Sequence, residues 1–288
     1  MKRIAIVTDS ASGILPEEVT DRNIFVLPMP FLIDGKEYFE NINLRQEEFF
    51  EMLENGAEVS TSQPSIMSVT EMWDSILKEY ETIIHIPMSS GLSASCDTAK
   101  MLAKEYKGRV VVVDNQRISV TLKQSVLDAE KMIKDGKSLQ EIVDFLTESK
   151  LDSSIYIMVP NLKYLKKGGR VTPAAAAIGT LLNIKPVLQI QGGKLEPCAK
   201  VMSARQANKT MINAIKSDLE MRFKGAVESK KLKLFIAYSR DDVAAESFRA
   251  QVEKELEGMF IEYIDPLSLV VACHIGPGSL AIACARVY

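Results

Sequence analysis

The stretch "IPMSSGLSAS", from Ile86 to Ser95, gathers hydroxyl side chains around one glycine directly after the apolar segment "TIIHI". A helix start uses one hydroxyl as its N-cap, whereas this turn carries Ser89, Ser90, Ser93 and Ser95. Hydroxyls and the free N–H groups of a helix start can together hold an anionic oxygen. The density of serines therefore predicts a ligand site, while N-capping alone would explain any single member of the set.

Two other hydroxyl-rich turns belong to the same predicted pattern. "TDS", Thr8 to Ser10, follows the apolar strand "RIAIV", and "TSQPS", Thr61 to Ser65, precedes a helix. Ligands of a doubly wound sheet collect outside the carboxyl ends of its strands. We therefore expect the three turns to line one pocket, with Ser65 also a good N-cap.

Two basic residues lie in glycine-rich segments. In "LKKGGRV", Arg170 follows two glycines, and its guanidinium can donate two hydrogen bonds to a carboxylate or phosphate. A salt bridge that fastens the loop is the alternative. In "HIGPG", His274 occupies a rigid turn, where an imidazole titrating near neutral pH could donate to an anion or serve as a hydrogen-bonded core residue. His85, inside an apolar strand, is expected in the core.

Several enzyme signatures can be tested directly. "DGKS" lacks the glycine that a P-loop needs five places before Gly136, where Lys131 stands, and no G-x-G-x-x-G follows the first strand. With two widely separated histidines, no metal site is predicted. "GLSAS" resembles the nucleophile elbow of serine hydrolases, and Ser93, Asp265 and His274 follow the order nucleophile, acid, base. A serine esterase with Ser93 as nucleophile is therefore an alternative function.

The order of predicted elements indicates an α/β fold with two domains. Strands and helices alternate up to about residue 150, which predicts a parallel, doubly wound α/β/α sheet. The second half begins with the strand "IYIMV", continues through the small-residue helix "TPAAAAIGTLLN", and contains a hairpin at Gly192-Gly193, which indicates a mixed sheet. A boundary near Pro160 divides the chain into domains 1–160 and 161–288. A further hairpin is expected at Asp34-Gly35.

The composition is that of an ordinary globular protein. The 288 residues are 47% hydrophobic and carry a net charge of -3, which argues against a nucleic-acid partner. Four scattered cysteines predict free, mostly buried thiols and a cytoplasmic location. The charge-free stretch from Pro266 to Ala285 is long enough to suggest a membrane span, but its Gly-Pro-Gly turn favours two buried segments and no membrane insertion.

Five motifs, in order along nearly the whole chain, resemble those of the DegV family of bacterial fatty-acid-binding proteins, known in Gram-positive species as B subunits of fatty acid kinase. They are "TDS", "TSQPS", "SSGLS", "LKYLKKGGRV" with "LLNIKP", and "HIGPG". The resemblance implies a long-chain fatty acid held between two domains, with its tail in an apolar tunnel and its carboxylate bonded by hydroxyls. It implies no other cofactor and no metal.

The resemblance also implies roles for individual residues. Thr61 and Ser93 match the carboxylate-binding residues, and Arg170 and His274 match basic residues where an acyl phosphate would lie. Ser62, Gly91 and Gly276 are expected in the same vicinity. The chain would then be a carrier without catalytic residues, presenting the acid to a separate ATP-dependent kinase subunit.

Some positions depart from the family pattern. Ala94 and Ser95 follow "SSGLS", Ile275, Ser279 and Ala281 lie around "GPG", and Asp114 is followed by Asn115 where many members have serine. These changes are expected to reshape the tunnel wall or the kinase-docking surface. A binding module for another anionic amphiphile is a third hypothesis.

Overall fold

A computed structural model of the chain describes residues 3–160, 162–170 and 184–288. The helix expected over "TPAAAAIGTLLN", together with Val171 of "LKKGGRV", lies outside the described residues. Strands and helices are numbered below in chain order.

The first sheet is parallel, as predicted. It consists of β1 (Ile4–Asp9), β2 (Ile24–Leu27), β6 (Thr82–Ile86) and β7 (Val110–Val112), in the order β2-β1-β6-β7 with every neighbouring pair parallel. The edge strand β7 is only partly buried. An edge strand has one neighbour and less cover.

Helices cover both faces of this sheet. On β1, Ala5 and Val7 pack with Trp73 of α2 (Ile66–Ile76) and Ala99 of α3 (Ser95–Ala103). The alternate residue Ile6 joins the core that includes α4 (Ser119–Lys134) and α5 (Leu139–Glu148). This period of two is what a strand buried on both faces requires. His85 of β6 is 2% exposed and meets the Trp73 ring edge-on, which confirms its predicted core position.

A small antiparallel sheet follows β2. It contains β3 (Phe31–Ile33), β4 (Lys36–Tyr38) and β5 (Val59–Thr61), in the order β4-β3-β5, and the predicted hairpin at Asp34-Gly35 is confirmed. Its apolar residues pack with α1 (Gln46–Glu54) and with α10 (Leu269–Ile275). The small sheet therefore holds the end of β5 beside α10.

The second large sheet is mixed, as predicted. Its strands are β8 (Ser153–Met158), β9 (Lys185–Ile190), β10 (Leu195–Val201), β11 (Leu232–Tyr238), β12 (Ile261–Pro266) and β13 (Leu280–Arg286). The order is β10-β9-β8-β13-β11-β12, and only β11 and β12 are parallel neighbours among these described strands. The hairpin of β9 and β10 turns at Gly192-Gly193, as expected.

Each face of the mixed sheet has its own core. α7 (Ala204–Met221), α8 (Lys224–Glu228) and α9 (Asp242–Glu255) lie over one face, with Leu234 and Ile282. On the other face, Ile157 and Ala283 belong to the core shared with β1, β6 and α4. The two large sheets therefore meet through one hydrophobic layer.

The change from the parallel to the mixed sheet falls before the predicted boundary near Pro160. β8 ends at Met158, before that boundary, and pairs with β9 and β13 of the mixed sheet. The change from one sheet to the next therefore falls between β7 and Ser153. The stretch Ser149–Leu151 between them is a short 3-10 helix, as is Pro16–Val19. The division into two independent domains stays a prediction.

The charge-free stretch near the C-terminus forms two buried elements. α10 ends at Ile275 with Gly276 as its C-cap, a turn follows, and β13 begins at Leu280, which confirms the prediction of two segments. In the described ranges no helix has both the length and the hydrophobicity to cross a bilayer. The cysteines are free thiols, as predicted, with Cys96, Cys273 and Cys284 buried and Cys198 exposed.

Candidate ligand-binding cavity

A cavity of about 400 Å³ lies between the two large sheets. Its volume is in the range of about 300 to 1,000 Å³ that is usual for small-molecule sites. The described lining residues come from the mixed sheet, the end of β5, the segments that follow β2 and β6, the serine turn, the start of α4, α6 (Lys163–Gly168) and α10. They are Met29, Thr61, Ser62, Gln63, Met88, Leu92, Ser93, Ala94, Ile118, Ser119, Val120, Ile155, Ile157, Leu165, Arg170, Ile190, Leu195, Ala237, Leu267, Val270, Val271, His274, Ile275 and Ala281.

The walls of the cavity are apolar. Ile155 and Ile157 of β8 form one part, and Ala237 of β11 lies directly opposite Ala281 of β13 in the antiparallel ladder. Two facing alanines leave space that larger side chains would fill. The departures Ala94, Ile275 and Ala281 also line the cavity, in agreement with the expectation that they shape its wall.

The polar lining residues include the predicted head-group residues. Thr61 ends β5 and Ser62 follows it, Ser93 lies in the serine turn, Arg170 follows α6, and His274 lies in the last turn of α10. These residues come from four separate segments of the chain, yet they border one cavity. We call these five residues the polar rim.

The shortest contact in the polar rim joins Thr61 and His274. The Thr61 Oγ1 and His274 Nε2 atoms are 2.8 Å apart, while Nδ1 of the same ring is buried and has no hydrogen-bond partner in the described part of the chain. Burial, together with the nearby charge of Arg170, lowers the pKa of His274 to about 4. The expectation of an imidazole titrating near neutral pH is therefore wrong, and the ring is neutral at pH 7.

Glycine makes room for this histidine and its turn. A Cβ at Gly168 would overlap the His274 ring, so only glycine permits this close approach of α6 to α10. Gly276 has a φ of +73°, and a Cβ there would overlap the Tyr164 ring. Gly276 therefore acts on the site through the position of α10, and it is not among the described lining residues.

The serines of the opening motif divide into two roles. Ser89 Oγ accepts from Gly91 N at 3.1 Å and donates to Gly193 O at 3.4 Å. Ser93 Oγ accepts from Ser95 N at 3.2 Å and donates to Ser95 Oγ at 2.9 Å. Ser89 and Ser95 therefore hold the turn, whereas Ser93 also faces the cavity.

Gly91 brings the serine turn against the hairpin of the mixed sheet. A Cβ at Gly91 would overlap the carbonyl group of Gly193. Gly91 borders a shallow outer groove that shares Leu92, Ser93 and Arg170 with the cavity. Its role is to let the two segments meet beside the polar rim.

Arg170 is exposed at the rim. Its NH1 group donates to Gly168 O at 2.7 Å and its Nε to Leu92 O at 3.5 Å. Within residues 3–160, 162–170 and 184–288, no carboxylate forms a salt bridge with it, so the alternative of a loop-fastening ion pair is not found there. The guanidinium spans α6 and the serine turn and keeps its charge beside the cavity.

The side chains of the "TDS" turn form hydrogen bonds with the end of β6 and the segment that follows it. Thr8 Oγ1 donates to Ile86 O at 2.8 Å, and the Asp9 carboxylate accepts from Met88 N at 2.8 Å and from Ala11 N at 3.1 Å. Burial raises the pKa of Asp9 to about 6, against the opposing effect of these two backbone hydrogen bonds. Neither Thr8 nor Asp9 lines the cavity, so the expectation that all three hydroxyl-rich turns line one pocket is wrong.

The geometry does not support the serine esterase hypothesis. Asp265 pairs with Lys123 at 2.9 Å, Ser93 bonds to Ser95, and His274 bonds to Thr61. The nucleophile, base and acid of a triad must bond to one another in sequence. In addition, the described residues hold no group of three or more His, Cys, Asp or Glu side chains that could bind a metal ion.

Ser119 and Ala237 are among the lining residues that sequence reasoning missed. Ser119 begins α4 and lies between Ile118 and Val120, where a serine is typical of helix capping. Ala237 lies within an apolar strand, and only its pairing with Ala281 places it at the cavity. A left-handed φ of 54° at Ser119 is visible only in the structure.

The fold and site together define an α/β protein with a parallel and a mixed sheet, an apolar cavity between its elements and a polar rim. A profile of the DegV family, described as an uncharacterised protein family, matches residues 3–287. The chain belongs to the DegV family.

Individual relatives agree with this assignment. A DegV domain-containing protein of Deinococcus radiodurans is 28% identical over 283 residues, covering 97% of each chain. A solved DegV family protein from Thermus thermophilus, described by its fatty acid binding, is 30% identical with a TM-score of 0.88, covering 99% of this chain and all of its own. A fatty-acid-binding DegV family protein from Streptococcus agalactiae is 26% identical with a TM-score of 0.88 over the whole of both chains.

Proposed function

We propose that this protein binds a long-chain fatty acid, with the tail in the cavity and the carboxylate at Thr61 and Ser93. The observation that carries the proposal is an apolar cavity between the two large sheets with hydroxyl groups on its polar rim. The fatty acid binding described for the relatives from Thermus thermophilus and Streptococcus agalactiae supports the same ligand class.

The tail supplies most of the binding free energy. Burial of a methylene contributes about 0.8 kcal/mol, so a chain of roughly fourteen contributes on the order of 10 kcal/mol before ordering costs. Hydrogen bonds to a charged group contribute about 1.5 to 3 kcal/mol each, offset by desolvation of the carboxylate. The hydroxyls therefore mainly fix the orientation of the acid.

A polar rim of this composition suits an acid that is later modified. Hydroxyls and a neutral imidazole hold a carboxylate without a strong salt bridge, which leaves an oxygen able to react. Arg170, the cation of the rim, lies exposed beside the opening. We extend the proposal to presentation of the acid to a separate ATP-dependent kinase subunit, with Arg170 stabilising the more highly charged acyl phosphate.

Extraction of the purified protein and mass spectrometry test the ligand assignment. We expect fatty acid in the extract, and binding of palmitate or oleate to delipidated protein. Absence of both would overturn the proposal. Methyl palmitate serves as a matched ligand, since it keeps the tail and removes the carboxylate charge. Equal affinities for the acid and the ester would contradict binding of the carboxylate by the polar rim.

A further inference from the structure

The cavity contains a second polar position besides the polar rim. Ser119 lines the cavity and is 8% exposed, and its hydroxyl has no hydrogen-bond partner in the part of the chain that the structure describes. Its neighbours Ile118 and Val120 are apolar lining residues. The Ser119 oxygen is open to the cavity, so a plain alkyl tail that covers it would displace water from the hydroxyl without supplying a hydrogen-bond partner.

The start of a long helix lies at the same point. α4 runs from Ser119 to Lys134, and its first intrahelical hydrogen bond is donated by Leu122 N to Ile118 O at 3.4 Å. The N–H groups before Leu122 are therefore those of a first helical turn, which favour an oxygen acceptor. The Ser119 hydroxyl and the free N–H groups of the first turn of α4 could both form hydrogen bonds with an oxygen atom on the ligand.

This position is distinct from the polar rim. The Tyr263 hydroxyl of β12 donates to Val120 O at 2.7 Å, which ties the start of α4 to the strand leading into Leu267 and α10. His274 lies in the last turn of α10, a helix of seven residues and so about 10 Å long. Thr61 bonds at that far end. A ligand whose carboxylate is at the rim has its tail along the rest of the lining, which includes Ser119.

The chemistry of the ligand group follows from the charges nearby. Of the described lining residues, Arg170 is the one permanent cation, and it belongs to the rim. An ionised group at Ser119 would be desolvated without a counter-ion, which is costly. A hydroxyl or keto oxygen carries no such cost, and it can pair with the Ser119 hydroxyl.

We propose that Ser119 and the first turn of α4 form a second subsite that selects fatty acids carrying a hydroxyl or keto oxygen along the chain. This inference rests on the proposed fatty-acid function. It assigns Ser119 as a specificity-determining residue in a position where α4 adopts a left-handed φ of 54°.

The test compares ligands on the intact, delipidated protein. The ligands are octadecanoic acid, a series of hydroxyoctadecanoic acids with the hydroxyl at successive positions, and methyl-branched acids of the same shapes. We expect at least one hydroxy isomer to bind roughly three- to tenfold more tightly than both the plain acid and its methyl-branched counterpart. If no isomer is preferred over its methyl counterpart, the subsite is overturned. If none of the acids binds, the proposed function itself fails.

Variants assign the preference to Ser119. Ser119→Gly removes the hydroxyl and suits the left-handed backbone, so it should abolish the preference while plain octadecanoic acid still binds. Gln116→Gly is the matched control. Gln116 lies in the loop just before α4, has the same φ of 54° as Ser119, and is not a described lining residue. A preference that survives Ser119→Gly would overturn the assignment. Because each variant is scored by a ratio of two affinities, a general loss of stability does not obscure the result.

Discussion

At the scale of single residues, the Thr61 hydroxyl forms a hydrogen bond with the uncharged imidazole of His274. We predict that Thr61→Val, which keeps the side-chain shape and removes the hydroxyl, weakens fatty-acid binding by about 1 kcal/mol, or roughly fivefold. The loss is modest because the tail provides most of the affinity. Titration calorimetry with palmitate measures it.

Thr147→Val on the exposed surface of α5 is the matched control for Thr61→Val. Thr147 donates to Val143 O at 2.7 Å, and α5 contributes no described lining residue. Its replacement should leave the affinity unchanged. Equal affinities for the wild type and Thr61→Val would rule out a contact between Thr61 and the carboxylate.

Substitution of Arg170 tests whether this residue acts in phosphorylation of the acid and not in its binding. Because its guanidinium is exposed and has no described carboxylate partner, its charge is available to a transferred phosphate. We predict that Arg170→Ala lowers kinase-dependent acyl-phosphate formation on the order of a hundredfold, while palmitate binding changes by less than about threefold. Trapping of the product with hydroxylamine measures the first quantity.

The exposed Arg205 of α7 offers a control substitution of the same type. Arg205→Ala should affect neither quantity. Losses of equal size in binding and in phosphorylation for Arg170→Ala would contradict the proposed role, since they would place the guanidinium on the carboxylate itself.

At the scale of elements, Asp9 links the carboxyl ends of β1 and β6. Folding raises its pKa from 3.8 to about 6, so the folded protein binds this proton more tightly than the unfolded chain does. The resulting stabilisation is complete below about pH 4, is lost as the pH rises through about 6, and amounts to about 3 kcal/mol. We predict that Asp9→Asn removes this contribution to the pH dependence of the unfolding free energy.

Urea unfolding of the wild type and of Asp9→Asn between pH 4 and pH 8 measures the difference. Asp144→Asn, on the exposed face of α5, is the control and should follow the wild type. If the unfolding free energies of the wild type and of Asp9→Asn depend on pH in the same way, folding does not raise the pKa of Asp9 as we predict.

The facing alanines of β11 and β13 set the space available to the tail. We predict that Ala281→Leu lowers the affinity for an octadecanoyl chain by roughly tenfold, because the larger side chain would exclude about two methylene groups of the ligand from the cavity. A dodecanoyl chain should bind as before. Ala283→Leu on the same strand is the control, since Ala283 belongs to the same core but is not a described lining residue. Equal losses for both chain lengths would show general damage to packing.

At the scale of the whole molecule, a fatty acid bound as proposed would contact the mixed sheet, the serine turn and the segments that follow β2 and β6, and it should stabilise the fold. A ligand present at about one hundred times its Kd adds about 2.7 kcal/mol to the unfolding free energy. For a chain of this size we predict a rise in Tm of roughly 5 °C when delipidated protein is reloaded with palmitate. Calorimetry with and without ligand tests this, and an unchanged Tm would contradict a buried tail.

Local patterns predicted the local structure well. The hairpins at Asp34-Gly35 and Gly192-Gly193 follow from turn chemistry, and the parallel sheet follows from the alternation of strands and helices. The polar rim was predicted by a family resemblance that extends over separate motifs. The structure brings Thr61, Ser93, Arg170 and His274 to one cavity.

Long-range pairing explains what the sequence did not reveal. β8 pairs with β13, far along the chain, so the change of sheet falls before the predicted boundary. Ala237 and Ala281 form a pair only because β11 and β13 are neighbours. The low pKa of His274 depends on burial beneath α6, and the hydroxyl of Ser119 is not used as its sequence position suggests, because no hydrogen bond to it is found among the described residues.

The small sheet has a consequence for how this protein can diversify. Phe31, Ile33 and Val59 pack with Leu269 and Cys273, so the strand bearing Thr61 and the helix bearing His274 share one hydrophobic contact. The apolar lining residues Ile155, Ile157, Ala237 and Ala281 lie on β8, β11 and β13 instead. Under the proposed function, recognition of the ligand's acidic end and of its length would be separable traits, free to change independently as the sequence evolves.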